Sequence, residues 1–180
     1  MKRAALALLA LWASAPVPAA GADLFGGYTS MRVDDRQMNG GAVAATWRLG
    51  GLVGVAVEGS HERGQISGEN FEEWAFLGGP VLTPWPARRL SPFAHVKGGL
   101  ARSRRQVEVL GVAIGPDGIC DGGCPFSTGA AMEVGGGLDY RLSDSFSLRV
   151  PQVDYRVTQL DDATAKRLRV SAGVVYRWGD

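Results

Sequence analysis

Taken two residues at a time, the chain falls into short stretches in which apolar and polar positions alternate, the pattern of β-strands with two different faces. The clearest stretch is 167–178. Leu168, Val170, Ala172, Val174, Tyr176 and Trp178 share one face, and Arg167, Arg169, Ser171, Gly173, Val175 and Arg177 share the other. A strand in a soluble core alternates too. Here, however, the apolar face is unbroken, finishes in aromatics and stands opposite a cationic face. It also runs for the roughly 9–11 residues that a tilted transmembrane strand needs. The pattern predicts a barrel that is apolar outside and charged inside.

Seven further strands precede it, at about 23–33, 38–49, 52–61, 71–82, 92–103, 128–142 and 146–157. Between them lie the turns Asp34-Asp35-Arg36-Gln37, Gly50-Gly51, the Pro-rich 83–89 and Ser143-Asp144, a polar loop at 62–70 and a main loop at 104–127. In the first strand Phe25, Thr29, Met31 and Val33 oppose Leu24, Gly26, Tyr28, Ser30 and Arg32, and Arg32 marks its own face as the inner one. In the seventh, Phe146, Leu148 and Val150 are out of phase with Val153, Tyr155 and Val157. Pro151 lies at the slip, so a β-bulge near 150–152 is expected to restore a single apolar face.

The prediction is therefore all-β: an about eight-stranded antiparallel up-and-down transmembrane β-barrel. Short and long connections alternate, as in bacterial outer-membrane barrels with short periplasmic turns. At the expected periplasmic level fall Phe25, Trp47, Phe93, Tyr140, Phe146 and Trp178, with Trp85 in a nearby turn. Amphipathic aromatics favour the membrane–water interface, so these seven are the expected girdle. The alternative is the general preference of aromatics for strands.

Residues 1–22 read as a secretory signal peptide, with charged Met1-Lys2-Arg3, an apolar run over 4–13 and small-residue cleavage sites at Val17-x-Ala19 and Ala20-x-Ala22. About ten apolar residues fall short of the ~20 of a spanning helix. The barrel domain then occupies 23–180. The full chain carries 19 basic and 18 acidic residues; without Lys2 and Arg3 the balance is 17 against 18, or −1. That balance offers nothing to a nucleic acid. Glycine, at 26 residues, is about twice its ordinary ~7% share, and in a narrow barrel glycine makes room for long neighbours.

Several segments resemble a known family. They are Leu24-Phe25-Gly26-Gly27-Tyr28-Thr29, Ser91-Pro92-Phe93-Ala94-His95, Val134-Gly135-Gly136-Gly137-Leu138-Asp139-Tyr140, Asp154-Tyr155 and the terminal 171–178. Together they resemble the small outer-membrane β-barrels of the OmpA-like, opacity-type porin superfamily. The resemblance implies the bacterial outer membrane, with its lipid and the barrel-assembly machinery as partners. It also implies a structural, adhesive or surface-interacting role, in which the loop 104–127 is the part most free to meet a surface ligand.

The expected inner charges are Arg32, Arg48, Glu58, Glu73, His95, Lys97, Glu133, Asp139, Arg141, Arg149, Asp154, Arg156, Arg169 and Arg177. Charges removed from water must pair or hydrogen-bond, so an interior ion-pair network is expected. A conducting pore is the competing reading, and about eight strands leave an interior only just wide enough for side chains. Cys120 and Cys124, in Ile119-Cys120-Asp121-Gly122-Gly123-Cys124-Pro125, predict a disulfide in an exported chain. A metal would need more ligands than these two, and no helix follows to activate a thiol. Barrel lipid A deacylases place a His and a Ser two positions apart, but Ser60-His61 are adjacent and would face opposite sides of a strand. No catalytic residue and no cofactor are expected. A soluble calyx for an apolar ligand would require the inverse orientation, apolar inside and polar outside.

Overall fold

The structure, a computed structural model, describes residues 21–33, 36–66, 69–109, 112–115, 118–120, 124, 126–160 and 163–179. Residues 1–20 of the expected signal peptide 1–22 and the turn residues Asp34-Asp35 lie outside them. The elements are β1 (Gly21–Val33), β2 (Arg36–Gly50), β3 (Val53–Ile66), β4 (Glu69–Leu82), β5 (Leu90–Val109), β6 (Val112–Gly115), β7 (Gly118–Cys120), β8 (Ser127–Arg141), β9 (Phe146–Leu160) and β10 (Ala163–Trp178). Eight of them, β1–β5 and β8–β10, pair with their neighbours antiparallel; β1 meets β10, and β4 meets β5. The ring of eight is closed, so none of its strands is left as a free sheet edge. β6 and β7 form an antiparallel extension on the far end of β5.

Alternation decides which way each side chain points. Val43 on β2, Phe76 on β4, Leu100 on β5, Met132 and Val134 on β8, and Leu168, Val170 and Val174 on β10 are all exposed on the outer surface. Their sequence neighbours Ala42, Ala44, Ala75, Leu77, Ala101, Ala131, Glu133, Arg167, Arg169, Ser171 and Val175 are buried inside. On β9 the slip is present as expected. Gln152 pairs with Gly137 and Ser171, Arg149 pairs with Asp139 and Gly173, and the one extra residue between them sits at Val150-Pro151. Both of these residues are exposed, and Gln152 and Asp154 return to the interior.

β1 departs from expectation. Phe25, Thr29, Met31 and Val33 are the buried set, whereas Leu24, Tyr28 and Arg32 are exposed. The register explains the inversion: Leu24 pairs with Tyr176 and Arg32 with Leu168, both outward residues of β10. Two glycines make space for the inward ring of Phe25. A Cβ on Gly27 would stand 2.6 Å from its edge, and one on Gly173 would stand 2.7 Å from it.

Two expected loops are largely strand. β3 and β4 run on through most of 62–70, and β5 continues to Val109, so the main loop 104–127 is mostly an upright β extension. Polar composition hid this, because a strand that rises beyond the apolar band no longer has a reason to alternate apolar with polar. β1 begins at Gly21, two residues before the expected domain start.

The packing at Gly173 carries a prediction. Gly173→Leu should lower the stability of the folded barrel by about 2 kcal/mol through overpacking against Phe25 and the β1 backbone. Val174→Leu, one residue away on the outer face, should stay within about 0.5 kcal/mol. Urea unfolding in lipid vesicles, followed by tryptophan fluorescence, measures both.

Candidate functional site

The interior of the barrel holds a layered set of charges, each delivered by strand parity. In the middle layer β3 supplies Glu58, Ser60 and Glu62, β4 supplies Glu73, and β5 supplies His95 and Lys97. β8 supplies Glu133, β9 supplies Gln152, Asp154 and Arg156, and β10 supplies Arg167 and Arg169. All are buried. Arg156 meets Glu133, its register partner on the adjacent β8 (2.9 Å), and reaches across the barrel to Glu73 (3.4 Å), Glu62 (3.5 Å) and the Ser60 hydroxyl (3.1 Å). Arg169 donates to Asp154 (2.8 Å) and Glu133 (3.0 Å), and also meets Glu58 (2.5 Å) and Glu62 (3.6 Å). Lys97 bridges Glu58 (2.5 Å) and Glu133 (2.8 Å), and Arg167 pairs with Glu73.

Five carboxylates there face four permanent cations, and the His95 imidazole stands 3.0 Å from Asp154 and 3.6 Å from Glu133. His95, Glu133 and Asp154 bring three potential metal-ligating atoms within 4.8 Å of one another. A dication among them would stand against Lys97 Nζ and the Arg169 guanidinium, which already hold the same carboxylates. The trio therefore belongs to the ion-pair layer.

A second layer lies toward the end at which β1 begins and β10 finishes. Arg149 makes two hydrogen bonds to Asp139, at 2.7 and 3.0 Å, and Arg177 approaches the same carboxylate at 3.5 Å. Arg48 pairs with Asp23 at 3.3 Å. The Arg149 guanidinium is also held between two rings, 4.1 Å from the centre of Phe93 and 4.9 Å from that of Phe25. Below the middle layer the interior leaves a cavity of about 40 Å³, bordered by Asp23, Arg48, Lys97, Arg149 and Arg177. At the opposite end Met31, Val33, Met38 and Phe71 form a buried apolar cluster, with Arg105 and Arg167 over the Phe71 ring at 5.3 and 5.1 Å.

Three residues need correction. Phe25 and Phe93 were expected in the outer girdle, but each is buried inside the barrel, where Arg149 and the facing glycines accommodate them. Arg32 was expected inside and is exposed outside. The other residues expected in the girdle, Trp47, Trp85, Tyr140, Phe146 and Trp178, are exposed. Arg141 is half-buried and donates to the Pro86 carbonyl at 3.0 Å instead of joining an acid. Glu62, Asp23 and Arg167 were missing from the expected network. Glu62 shares the parity of Glu58 and Ser60, and extending the expected strand 52–61 by one residue would have found it.

Ser60 points inward to Glu62 and Arg156, whereas His61 is on the outer face, 3.0 Å from Glu72 and stacked on Trp74 at 4.1 Å. The two side chains share no site. Cys120 and Cys124 are joined in a disulfide, with Cα atoms 4.9 Å apart.

No protein-family model and no curated relative matches this sequence. The fold, however, matches solved structures. Neisserial surface protein A aligns over 88% of this chain and 96% of its own, with TM-score 0.61 and 14% identity. The shared architecture is that of the small outer-membrane barrels. Ail, the attachment invasion locus protein of Yersinia pestis, aligns over 88% and 97% at TM-score 0.56 and 14% identity. Ail is also known in complex with the heparin analogue sucrose octasulfate. OprG of Pseudomonas aeruginosa aligns over 90% and 97% at TM-score 0.52 and 10% identity.

The network makes a quantitative prediction. Arg169→Met removes one cation from four buried carboxylates and should cost about 3–5 kcal/mol of stability. Adding Glu133→Gln to that variant should recover part of the loss, because one uncompensated charge disappears with it. A double-mutant cycle by urea unfolding in vesicles reads the coupling.

Proposed function

We propose that this chain is an outer-membrane barrel whose work is done at the cell surface, as a structural, adhesive or surface-interacting protein, with its interior filled by side chains. The observation that carries the reading is the inverted alternation: an apolar outer surface on all eight strands around a core of paired charges. In water such an exterior would be an aggregation surface, and in a bilayer it is the required one. The filled interior is supported by Arg156 and Arg169, which cross from β9 and β10 to β3 and β8. The reading as a surface protein is supported by the disulfide-bearing extension of β5, β6 and β7 and by the likeness to NspA and Ail.

In this reading the end at which β1 begins and β10 finishes, with the girdle Trp47, Trp85, Tyr140, Phe146 and Trp178, faces the periplasm. The upright β5–β7 segment within 104–127 then stands outside the cell and offers itself to a surface ligand. No catalytic chemistry is assigned to it.

An epitope inserted after Gly118 should bind antibody on intact cells, whereas one after Ser143 should bind only after permeabilisation. Reversed accessibility would overturn the orientation. In planar lipid bilayers the purified protein should give no stable single-channel current, and a steady large conductance would refute the filled interior.

A further inference from the structure

On the outer face of β3, β4 and β5 the strand register assembles a small block of side chains above the apolar band. Leu100 and Phe76 pair across β5 and β4, with Gly59 beside them on β3. The next row up is His61, Trp74 and Arg102, and the row above that is Arg63, Glu72 and Arg104. Neighbouring strands are about 4.8 Å apart and successive outward residues about 7 Å apart. On those spacings Arg104 stands about 7 Å from Arg102 and about 10 Å from Arg63, and Arg63 and Arg102 are about 12 Å apart, grouped around an aromatic that marks the interface.

Their partners leave the block cationic. Glu72 accepts from Arg104 at 2.5 Å, from Trp74 Nε1 at 3.1 Å and lies 3.0 Å from His61. Arg102 and Arg104 both lie over the Phe126 ring at 4.7 Å, which holds their guanidinium groups against the wall of the barrel. Arg63 and Arg102 are exposed, and neither has a carboxylate partner among the described residues. Three cations against one carboxylate give a net charge of +2.

We propose that this block is a binding site for the phosphate groups of a phosphorylated lipid in the outer leaflet. The inference rests on the membrane reading given above. Because these arginines belong to the outward parity set, the groups in front of them are those of the bilayer and not of the barrel interior. At the height where hydrocarbon gives way to headgroups, an anionic phosphate is what a fixed guanidinium pair fits. Trp74 would lie beneath the sugar or glycerol that carries the phosphate, and Arg63 and Arg102 would clasp it from β3 and β5. Glu72 sets the pose of Arg104 and tempers the charge.

Native mass spectrometry of the micelle-held protein with bisphosphorylated lipid A, and with the same lipid stripped of phosphate, tests the site. The wild type should retain the phosphorylated form at least about tenfold better. The double variant R63Q/R102Q should lose about thirtyfold, at about fivefold for each cation near an anionic surface. Glu72→Gln, which removes the opposing charge, should gain about fivefold. Equal retention of the two lipids by the wild type, or undiminished retention by R63Q/R102Q, overturns the proposal. If R63Q/R102Q fails to fold, Glu72→Gln decides alone, and no gain overturns it. Loss of sucrose octasulfate binding in R63Q/R102Q with lipid retention intact would assign the block to a soluble polyanion and likewise overturn the lipid site. Micelle binding does not depend on which end faces out of the cell, so a failure here and a failure of the epitope experiment are separately visible.

Discussion

Everything in this barrel depends on neutralising charges that are withdrawn from solvent. Isolated ions transferred to such an interior would cost several kcal/mol each, yet Glu62, Glu73, Glu133, Asp154, Arg156 and Arg169 are almost wholly buried. They are tolerated because no charge there has a single partner. Arg156 touches acids on β3, β4 and β8, and Arg169 touches acids on β3, β8 and β9. Each guanidinium therefore acts as a strut between walls that the backbone ladder joins only around the circumference. A slip of one residue in any strand would turn its charges toward lipid and its apolar set inward. The network thus fixes register more firmly than backbone pairing could, since backbone pairs look alike at every offset.

Much of this was legible from parity alone. Strands β2, β3, β4, β5, β8 and β10 have the inner and outer sets that alternation gives them, and the bulge on β9 is where the phase changes. The exceptions have physical causes. β1 was oriented by one cation, Arg32, although cations are at home on either side of a membrane rim. Its true inner marker was the aromatic Phe25 set against Gly27, a packing relation with Gly173 that is 146 residues away in sequence and visible only once β1 and β10 are paired. Phe93 was hidden for the same reason, because the Arg149 that holds it comes from β9. Partners across a barrel are not periodic in sequence, so parity names the inward residues and cannot say which of them touch.

Strand length is the other property that the alternation understated. β5 has 20 residues, about 65 Å of strand, or roughly 45 Å of height at a tilt near 45°, against a hydrocarbon core of about 30 Å. The excess lies at the end away from where β1 begins and β10 finishes, where β3, β4 and β5 rise together and the β6–β7 extension continues them. A segment held by strand pairing loses little further entropy when it meets a ligand, whereas a free loop of the same length would have to be ordered on contact. At this end the β5–β7 extension also carries the Cys120–Cys124 disulfide.

The same residue pair serves two ends, and position alone decides which. Inside, Arg149 between Phe25 and Phe93 is desolvated and tied to Asp139, a setting in which cation–π contact is worth about 2 kcal/mol or more. Outside, Arg88 over Trp85, Arg89 over Tyr140, and Arg102 with Arg104 over Phe126 stand at the two rims, where water and headgroups reduce that contact to about 0.5–1 kcal/mol. The inner pair therefore stabilises the fold, whereas the outer ones contribute little to it. Arg104 is paired with Glu72, but Arg102, fixed in direction by the ring beneath, has no carboxylate partner among the described residues, and a charge that the fold does not consume is available to whatever lies beside the barrel.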